Sequence, residues 1–256
     1  MEQNDNLFDK LKQMVGQNEA NINILQEQID VKLQMAYFKL AKIIKKQINK
    51  EKDYLQEVEK LYDPEITIEE KKKLICILAS FENVSYYRSL EKFKEMADEE
   101  LKPWVTLGLQ ESRMMLESSL LDEKQLFIST GLGGKGTNLR YFVVLINNKE
   151  EHYNETQQNL IKQEFQYSIN KHGGELEETI FDDKFAKITC LLPIEKPVQE
   201  ILSKTTKECN SFGDFINENF LITNVKKMST AEIQDFLDKQ DNGNQLEIDD
   251  DETEQL

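Results

Sequence analysis

Residues 129–145, STGLGGKGTNLRYFVVL, mark the point at which a helical sequence pattern changes to a strand pattern. Four of the first eight residues are glycine, and four residues separate the last glycine from a wholly apolar run at 141–146. A short apolar run bounded by glycine is typical of a turn followed by a buried strand. We therefore predict a strand at 139–146 within a sheet-containing domain.

Downstream of that strand, helices and strands alternate in a fixed order. Two predicted helices, 154–172 and 197–208, separate further strands at 175–181, 185–192 and 219–225. Strand, helix, strand, strand, helix, strand is the order of a ferredoxin-like domain with both helices on one sheet face. Residues 125–130 are predicted to add an extra strand through a hairpin. Ser229 and Glu232 have capping-box spacing, which predicts a short helix to about residue 239.

Upstream of the glycine loop, the apolar spacing predicts helices only. Thr67 and Glu70 form a capping-box pair at the start of the third helix. Pro103 falls early in the fifth, where it should kink the first turn or mark a restart. The predicted helices are 18–50, 51–62, 68–81, 84–96 and 99–121. The predicted domains are a helical domain at 1–122, an α/β domain at 123–228, a helix at 229–240 and a tail at 241–256.

Part of the helical domain resembles a known repeat. Residues 98–110, DEELKPWVTLGLQ, lie within the closely spaced helices of 66–121 and are similar to the second-helix pattern of HEAT-type repeats. The resemblance implies a helical stack that binds other proteins, and it implies no enzyme activity. The expected fold class is α+β, with an N-terminal all-α, HEAT-like domain followed by a ferredoxin-like βαββαβ domain with one extra strand.

Charge is distributed unevenly along the chain. It has 32 basic and 48 acidic residues, a net charge of −16, and its last sixteen residues hold seven acids and no base. An acidic segment with few apolar residues cannot bury enough surface to fold alone, so we expect the tail to be disordered. Because Lys and Arg supply most of the affinity for nucleic acid, the acidic balance argues against nucleic-acid binding.

The spacing of the cysteines and the length of the apolar runs indicate the cellular compartment of the protein. Cys76, Cys190 and Cys209 are far apart and form no CxxC pair, which indicates a reducing environment. The first residues lack the basic and then apolar pattern of a signal peptide. The run at 141–146 is too short to span a bilayer. We expect a cytoplasmic protein that is not an integral membrane protein.

The loop at 131–136 fits the pattern G-x-G-x-x-G. A dinucleotide site needs that pattern to open a helix, and a P-loop needs Ser or Thr after Lys135, but a β-rich run and Gly136 follow instead. The other protein-kinase motifs are missing. Three interpretations stay open: a mobile turn, a partner-binding loop, or free amides that hold a phosphorylated ligand or nucleotide. The candidate ligand-binding residues are Gly131, Gly133, Gly134, Lys135, Gly136 and Arg140.

No catalytic or metal-binding set is recognisable in the sequence. His152 and His172 cannot supply a histidine-based metal cluster, and His172 beside two glycines is better explained as a helix cap. Neither G-x-S-x-G nor H-E-x-x-H occurs. No Cys–His pair is suggested by the spacing. We expect no catalytic residues, no metal and no cofactor, and we favour a protein that is not an enzyme.

A basic helix face is the sharpest charge feature of the helical domain. Residues 31–50 hold six lysines and no acid, with most of the lysines opposite an apolar stripe. Such a face can be merely solvated, or it can bind an acidic partner, the chain's own acidic tail or an anionic membrane. The candidate partner-binding residues are Lys39, Lys42, Lys46, Trp104 and Arg113.

Several of these side chains allow two interpretations. Trp104 is either a core residue or a binding hot spot. Arg113 either pairs with Glu117 on its own helix or reaches the sheet domain or a partner carboxylate. Tyr141 and Phe142 raise the possibility of RNA recognition, but adjacent strand residues point to opposite faces and the usual aromatic motif is missing.

Together these features favour a non-catalytic cytoplasmic interaction or adaptor protein. Its helical domain would dock a protein partner, and its α/β domain would form a homodimer or sense a ligand. The alternatives are a small phosphorylated ligand or nucleotide at the glycine loop and peripheral binding to anionic membranes through residues 31–50.

Overall fold

The computed structural model describes residues 21–121, 125–149 and 151–241, and it is a mixed α+β structure. The predicted acidic tail lies outside the described residues, except for Asp241. The helices are α1 Val31–Gln47, α2 Ile68–Ala79, α3 Val84–Met96, α4 Lys102–Leu121, α5 Glu155–Lys171, α6 Val198–Asn210 and α7 Thr230–Asp241. The strands are β1 Asn21–Ile24, β2 Gln125–Ile128, β3 Gly134–Lys135, β4 Asn138–Ile146, β5 Glu175–Asp182, β6 Phe185–Pro193 and β7 Leu221–Thr223.

The start of the first predicted helix was wrong. Residues 21–24 form β1, which pairs in parallel with β2, and α1 begins only at Val31. Asp30 sets that start, because its carboxylate accepts hydrogen bonds from the amides of Lys32 (2.8 Å) and Leu33 (3.3 Å). The hairpin predicted at 125–130 was also wrong, because β2 pairs with β1 and not with a strand of the main sheet.

The remaining helices follow the predicted pattern closely. The capping box of α2 is confirmed, with Thr67 and Glu70 exchanging backbone and side-chain hydrogen bonds at 3.2 and 3.3 Å. Pro103 is the second residue of α4, where its missing N–H removes no helical hydrogen bond. The predicted second helix is shorter and tighter than expected, a 3₁₀ helix at Leu55–Leu61.

One buried hydrogen bond fixes the position of α1 on the helices beneath it. The fully buried Tyr37 donates from its hydroxyl to Oε2 of Glu111 on α4 at 2.5 Å. Lys45, two turns further along α1, holds the other oxygen of that carboxylate at 2.5 Å. Gly108 makes room for Ile75 of α2, because a methyl group there would lie 2.9 Å from Cγ2 of Ile75, whereas its distance of 3.5 Å to the Tyr37 hydroxyl would be an ordinary contact.

Both faces of the main sheet are covered. The strand order is β5–β6–β4, with β3 and β7 pairing along β4, and every pair is antiparallel. On one face, Val143 and Ile188 pack with Phe165 of α5 and Leu202 of α6. The opposite face packs against α7, whose Ile233 is fully buried.

The glycine loop is a packed junction in which two backbone amides are already used. The Leu132 amide donates to the Asn224 carbonyl at 2.9 Å, and the Gly133 amide donates to the Thr130 carbonyl at 3.2 Å. Gly134 and Lys135 form β3 and pair with the start of β4. The anion-binding interpretation of this loop requires free amides, and those of Leu132 and Gly133 are not free.

Glycine is needed in this loop because other backbone approaches it closely. A side chain on Gly131 would overlap the Val225 carbonyl, and one on Gly133, where φ is +68°, would lie 2.5 Å from the Gln26 carbonyl oxygen. Gly136 also has positive φ, +60°, but it faces open space. The glycines therefore serve two purposes, close packing in the first part of the loop and turn geometry at its end.

We predict that Gly133→Ala lowers the free energy of unfolding by more than about 2 kcal/mol, because strained φ and backbone overlap add together. Gly136→Ala should cost about 1 kcal/mol, since only the φ strain applies. Urea denaturation followed by circular dichroism measures both. Equal losses in the two variants would show that the approach of Gln26 does not constrain the loop.

We predict that Tyr37→Phe lowers the free energy of unfolding by about 2 kcal/mol, because Glu111 loses a buried donor. Tyr167→Phe is the matched control, since Tyr167 is 63% exposed. The same denaturation measurement should show no change for the control. An unchanged Tyr37→Phe variant would contradict the role given to this hydrogen bond.

Candidate functional site

The two aromatic residues considered for base stacking do not lie on an open sheet face. Phe142 is buried on the face covered by α7, together with Ile233. Tyr141 is half-buried on the opposite face, where it packs against the core under α5 and α6. Burial raises the pKa of Tyr141 to about 12. In the described structure, neither ring offers the exposed stacking platform that RNA recognition by a sheet requires.

Lys135 in the glycine loop and Arg140 on β4 are paired with acids on the edge strand β5. Lys135 lies 2.8 Å from Oε2 of Glu175. Arg140 binds Glu177 through two nitrogens, at 2.5 and 2.8 Å, and donates to the Leu132 carbonyl at 2.8 Å. An anion would have to displace these carboxylates. Binding of a phosphorylated ligand at this loop stays a prediction.

Two more ion pairs continue the row along β5. Lys227, which precedes α7, lies 2.7 Å from Glu178. Lys187 of β6 is buried and contacts both Asp182, at 2.7 Å, and the Thr230 hydroxyl, at 2.6 Å. The row therefore joins the edge strand to β3, β4, β6 and the start of α7.

Sequence analysis missed this arrangement. Asp182 lies where the chain turns between the predicted strands 175–181 and 185–192, and this turn is present, with Asp183 at a φ of +55°. The Asp182 carboxylate also bonds Thr230, which is 48 positions away in the chain. No local pattern indicates that pairing.

The described histidines and cysteines do not cluster at one catalytic or metal site. His172 contacts the Ser168 carbonyl at 2.7 Å through Nδ1, and His152 contacts the Asp183 carbonyl at 3.1 Å. Burial raises the pKa of Cys190 and of Cys209 to about 12 in each case, which disfavours the reactive thiolate. Among the described residues, no three His, Cys, Asp or Glu side chains are placed to hold a metal ion.

An open groove of about 1090 Å³ runs beside the start of α5. Its polar wall includes Asn154 and Gln157, whose side chains already form the capping-box hydrogen bonds of that helix. Its other wall includes Phe212, which is 73% exposed. The groove brings together none of the residues predicted to bind a ligand.

Trp104 and Arg113 lie within the helical half of the chain. Trp104 is buried, with its ring edge-to-face with Tyr37 at 5.6 Å and the Lys72 ammonium 5.2 Å from the ring centre. Its indole is therefore a core group in the described structure, and a partner-binding role for Trp104 stays a prediction. Arg113 donates to the Tyr87 hydroxyl of α3 at 3.3 Å, and that partner is not in the sheet.

The other three partner candidates share one exposed face of α1. Lys39, Lys42 and Lys46 are exposed, and within the described residues none of them has an ion-pair partner. Met35, Phe38 and Ile43 lie among them and are 55%, 39% and 45% exposed. The buried side of the helix is formed by Gln34, Tyr37 and Ala41. We call the six exposed residues the outer face of α1.

Comparison with known proteins adds little. No protein-family model matches the sequence, and no curated protein matches it. One solved structure with a measurable likeness is described as a transposase from Deinococcus radiodurans R1. Its sequence identity is 15% and its TM-score is 0.34, over 42% of this chain and 95% of that chain. A likeness this low carries no argument about fold or activity.

No helix among the described residues combines the length and apolar character needed to cross a membrane.

We predict that the ion pairs on β5 make stability depend on acidity. Hydrogen bonds from Arg140 lower the pKa of Glu177, and those from Lys187 and Thr230 lower the pKa of Asp182. As the pH falls, the unfolded chain therefore binds protons at these two carboxylates before the folded chain does. The stability that the two ion pairs add is complete above about pH 4.5 and is lost as the pH falls through the lowered pKa values.

Glu177→Gln should reduce stability at neutral pH and flatten the loss below about pH 4.5. Glu91→Gln on an exposed position of α3 is the control and should keep the wild-type profile. Urea denaturation at a series of pH values measures both profiles. Identical profiles for all three proteins would contradict the stabilising role of the Arg140 pair.

Proposed function

We propose that this chain is a non-catalytic interaction protein that docks an acidic protein partner on the outer face of α1. The observation that carries the proposal is the unpaired state of Lys39, Lys42 and Lys46 within the described structure, next to three exposed large apolar side chains. Apolar anchors surrounded by charge are the usual composition of a helix-docking surface.

Charge indicates the chemistry of the partner. The chain as a whole carries −16, and many lysines elsewhere are satisfied by acids, as Lys72 is by Glu69 and Glu100. The outer face of α1 is therefore a local basic surface on an acidic protein. An acidic helix or peptide is small enough to contact that surface alone, whereas a flat anionic membrane also meets other parts of a chain whose net charge is −16.

The fold supports the same class of function. Helices α2, α3 and α4 pack against one another, which supports a HEAT-like helical stack at 66–121. The antiparallel order β7–β4–β6–β5, with α5 and α6 on one face, supports a ferredoxin-like sheet, and β3 is a further strand that was not predicted. We propose that this sheet half forms a homodimer or senses a ligand. The three buried free cysteines support a cytoplasmic location.

Charge reversal of the outer face tests the proposal. We expect immobilised wild-type protein to retain specific acidic proteins from an extract of its source cells, and Lys39→Glu/Lys42→Glu/Lys46→Glu to lose them. The matched control is Lys92→Glu/Lys204→Glu/Lys207→Glu, which changes the charge equally at exposed positions on α3 and α6. Thermal melts should show all three proteins folded, because exposed substitutions cost little.

Two results would count against the proposal. Equal loss of the retained proteins in both triple variants would indicate a general charge effect. Binding to phosphatidylserine vesicles that disappears only in the α1 variant would favour the membrane alternative.

A further inference from the structure

We infer that the chain's own acidic C-terminal segment, residues 242–256, occupies the outer face of α1 when no partner is bound. The inference rests on the surface assigned under the proposed function, but it does not need an external partner to exist. It makes α1 a regulated surface, because a partner must displace the segment before it can dock.

The first support is charge complementarity. Residues 242–256 contain six acids and no Lys or Arg. The outer face contributes Lys39, Lys42 and Lys46, which have no acidic partner among the described residues. By contrast, lysines such as Lys94 and Lys135 are already held by nearby glutamates. The outer face is therefore a basic surface on which the segment has no competing carboxylate among the described residues.

The second support is the order of apolar and charged residues. Leu246 and Ile248 precede the acidic run at 249–252, just as Met35 and Phe38 precede the three lysines of α1. From Met35 to Lys46 the helix rises by about 17 Å. An extended chain from Leu246 to Asp251 covers about 17 Å as well. The two patterns match when the segment runs parallel to α1.

The third support is reach. Leu246 follows the end of α7 at Asp241 by five residues, so it can lie up to about 17 Å from that end when the chain is extended. A compact chain of 256 residues has a radius of gyration of about 18 Å. The stretch from α7 to Leu246 therefore covers about one radius of gyration, and the segment can reach α1 of its own molecule across a distance of that size. Covalent attachment gives it an effective concentration in the millimolar range, which favours its own α1 over that of a second copy at micromolar protein.

Zero-length coupling of lysine amines to carboxylates tests the contact in the full chain. We expect carbodiimide treatment at about 20 mM salt to join Lys42 and Lys46 to residues 249–252 within monomers, as mapped by mass spectrometry of the monomer band. Raising the salt to about 500 mM should reduce that coupling several-fold, because exposed charges are then screened within a few ångströms. Lys92, Lys204 and Lys207 are the internal controls.

Two coupling results would overturn the inference. One is coupling of residues 249–252 to the control lysines at the same yield as to α1. The other is coupling found only in covalent dimers, which would assign the segment to the α1 of a second copy.

Competition gives an independent measurement. Asp249→Asn/Asp250→Asn/Asp251→Asn should increase the affinity of a fluorescent hexaglutamate peptide for the full chain several-fold, because the face is released. Glu91→Gln/Glu95→Gln/Glu195→Gln changes the net charge equally at exposed positions and should increase it much less. Equal increases would overturn the inference. Intramolecular coupling without any α1-dependent partner would leave the inference standing and remove only the proposed function.

Discussion

The contact between Tyr37 and Glu111 determines which side of α1 faces the solvent. A helix that buries a tyrosine hydroxyl against a carboxylate cannot rotate without leaving both groups unsatisfied. Lys45 adds a second contact to the same carboxylate, so the helix is held at two points along its length. The exposed lysines and apolar side chains of α1 share one outward face as a result, and this orientation underlies the proposed docking surface.

Local signals in the sequence predicted the elements whose causes are local. The bounds of α3 match the prediction at both ends, because the apolar spacing is local, and the Asn83 side chain caps the start of the helix. The bounds of α5 differ from the prediction by one residue at each end, and Asn154 and Gln157 form a capping box at its start. By contrast, β1 was missed because its partner, β2, lies about a hundred residues away, and the close packing of Gly133 depends on Gln26. The exposed lysines of α1 were predicted correctly, since helical periodicity alone separates them from the buried stripe.

The sheet half uses its charges for internal cohesion. Edge strands present unpaired backbone groups, and β5 is an edge of the described sheet. Its four acids are each matched by a cation from another element, which ties the edge to the rest of the sheet and to the start of α7. The cations that sequence analysis assigned to a ligand, Lys135 and Arg140, belong to this set. Their positions are explained by folding without any ligand.

The parallel pairing of β1 with β2 also bears on how the chain is synthesised. During translation, β1 leaves the ribosome about a hundred residues before the strand that completes it. Until then its hydrogen-bonding groups have no partner from β2, and the late contact carries the entropy cost of closing a long loop. A fragment that ends at the predicted boundary near residue 122 would keep the five predicted helical segments but lack the strand that pairs with β1. The helical half therefore needs β2, which lies beyond the predicted boundary, to complete the pairing of β1.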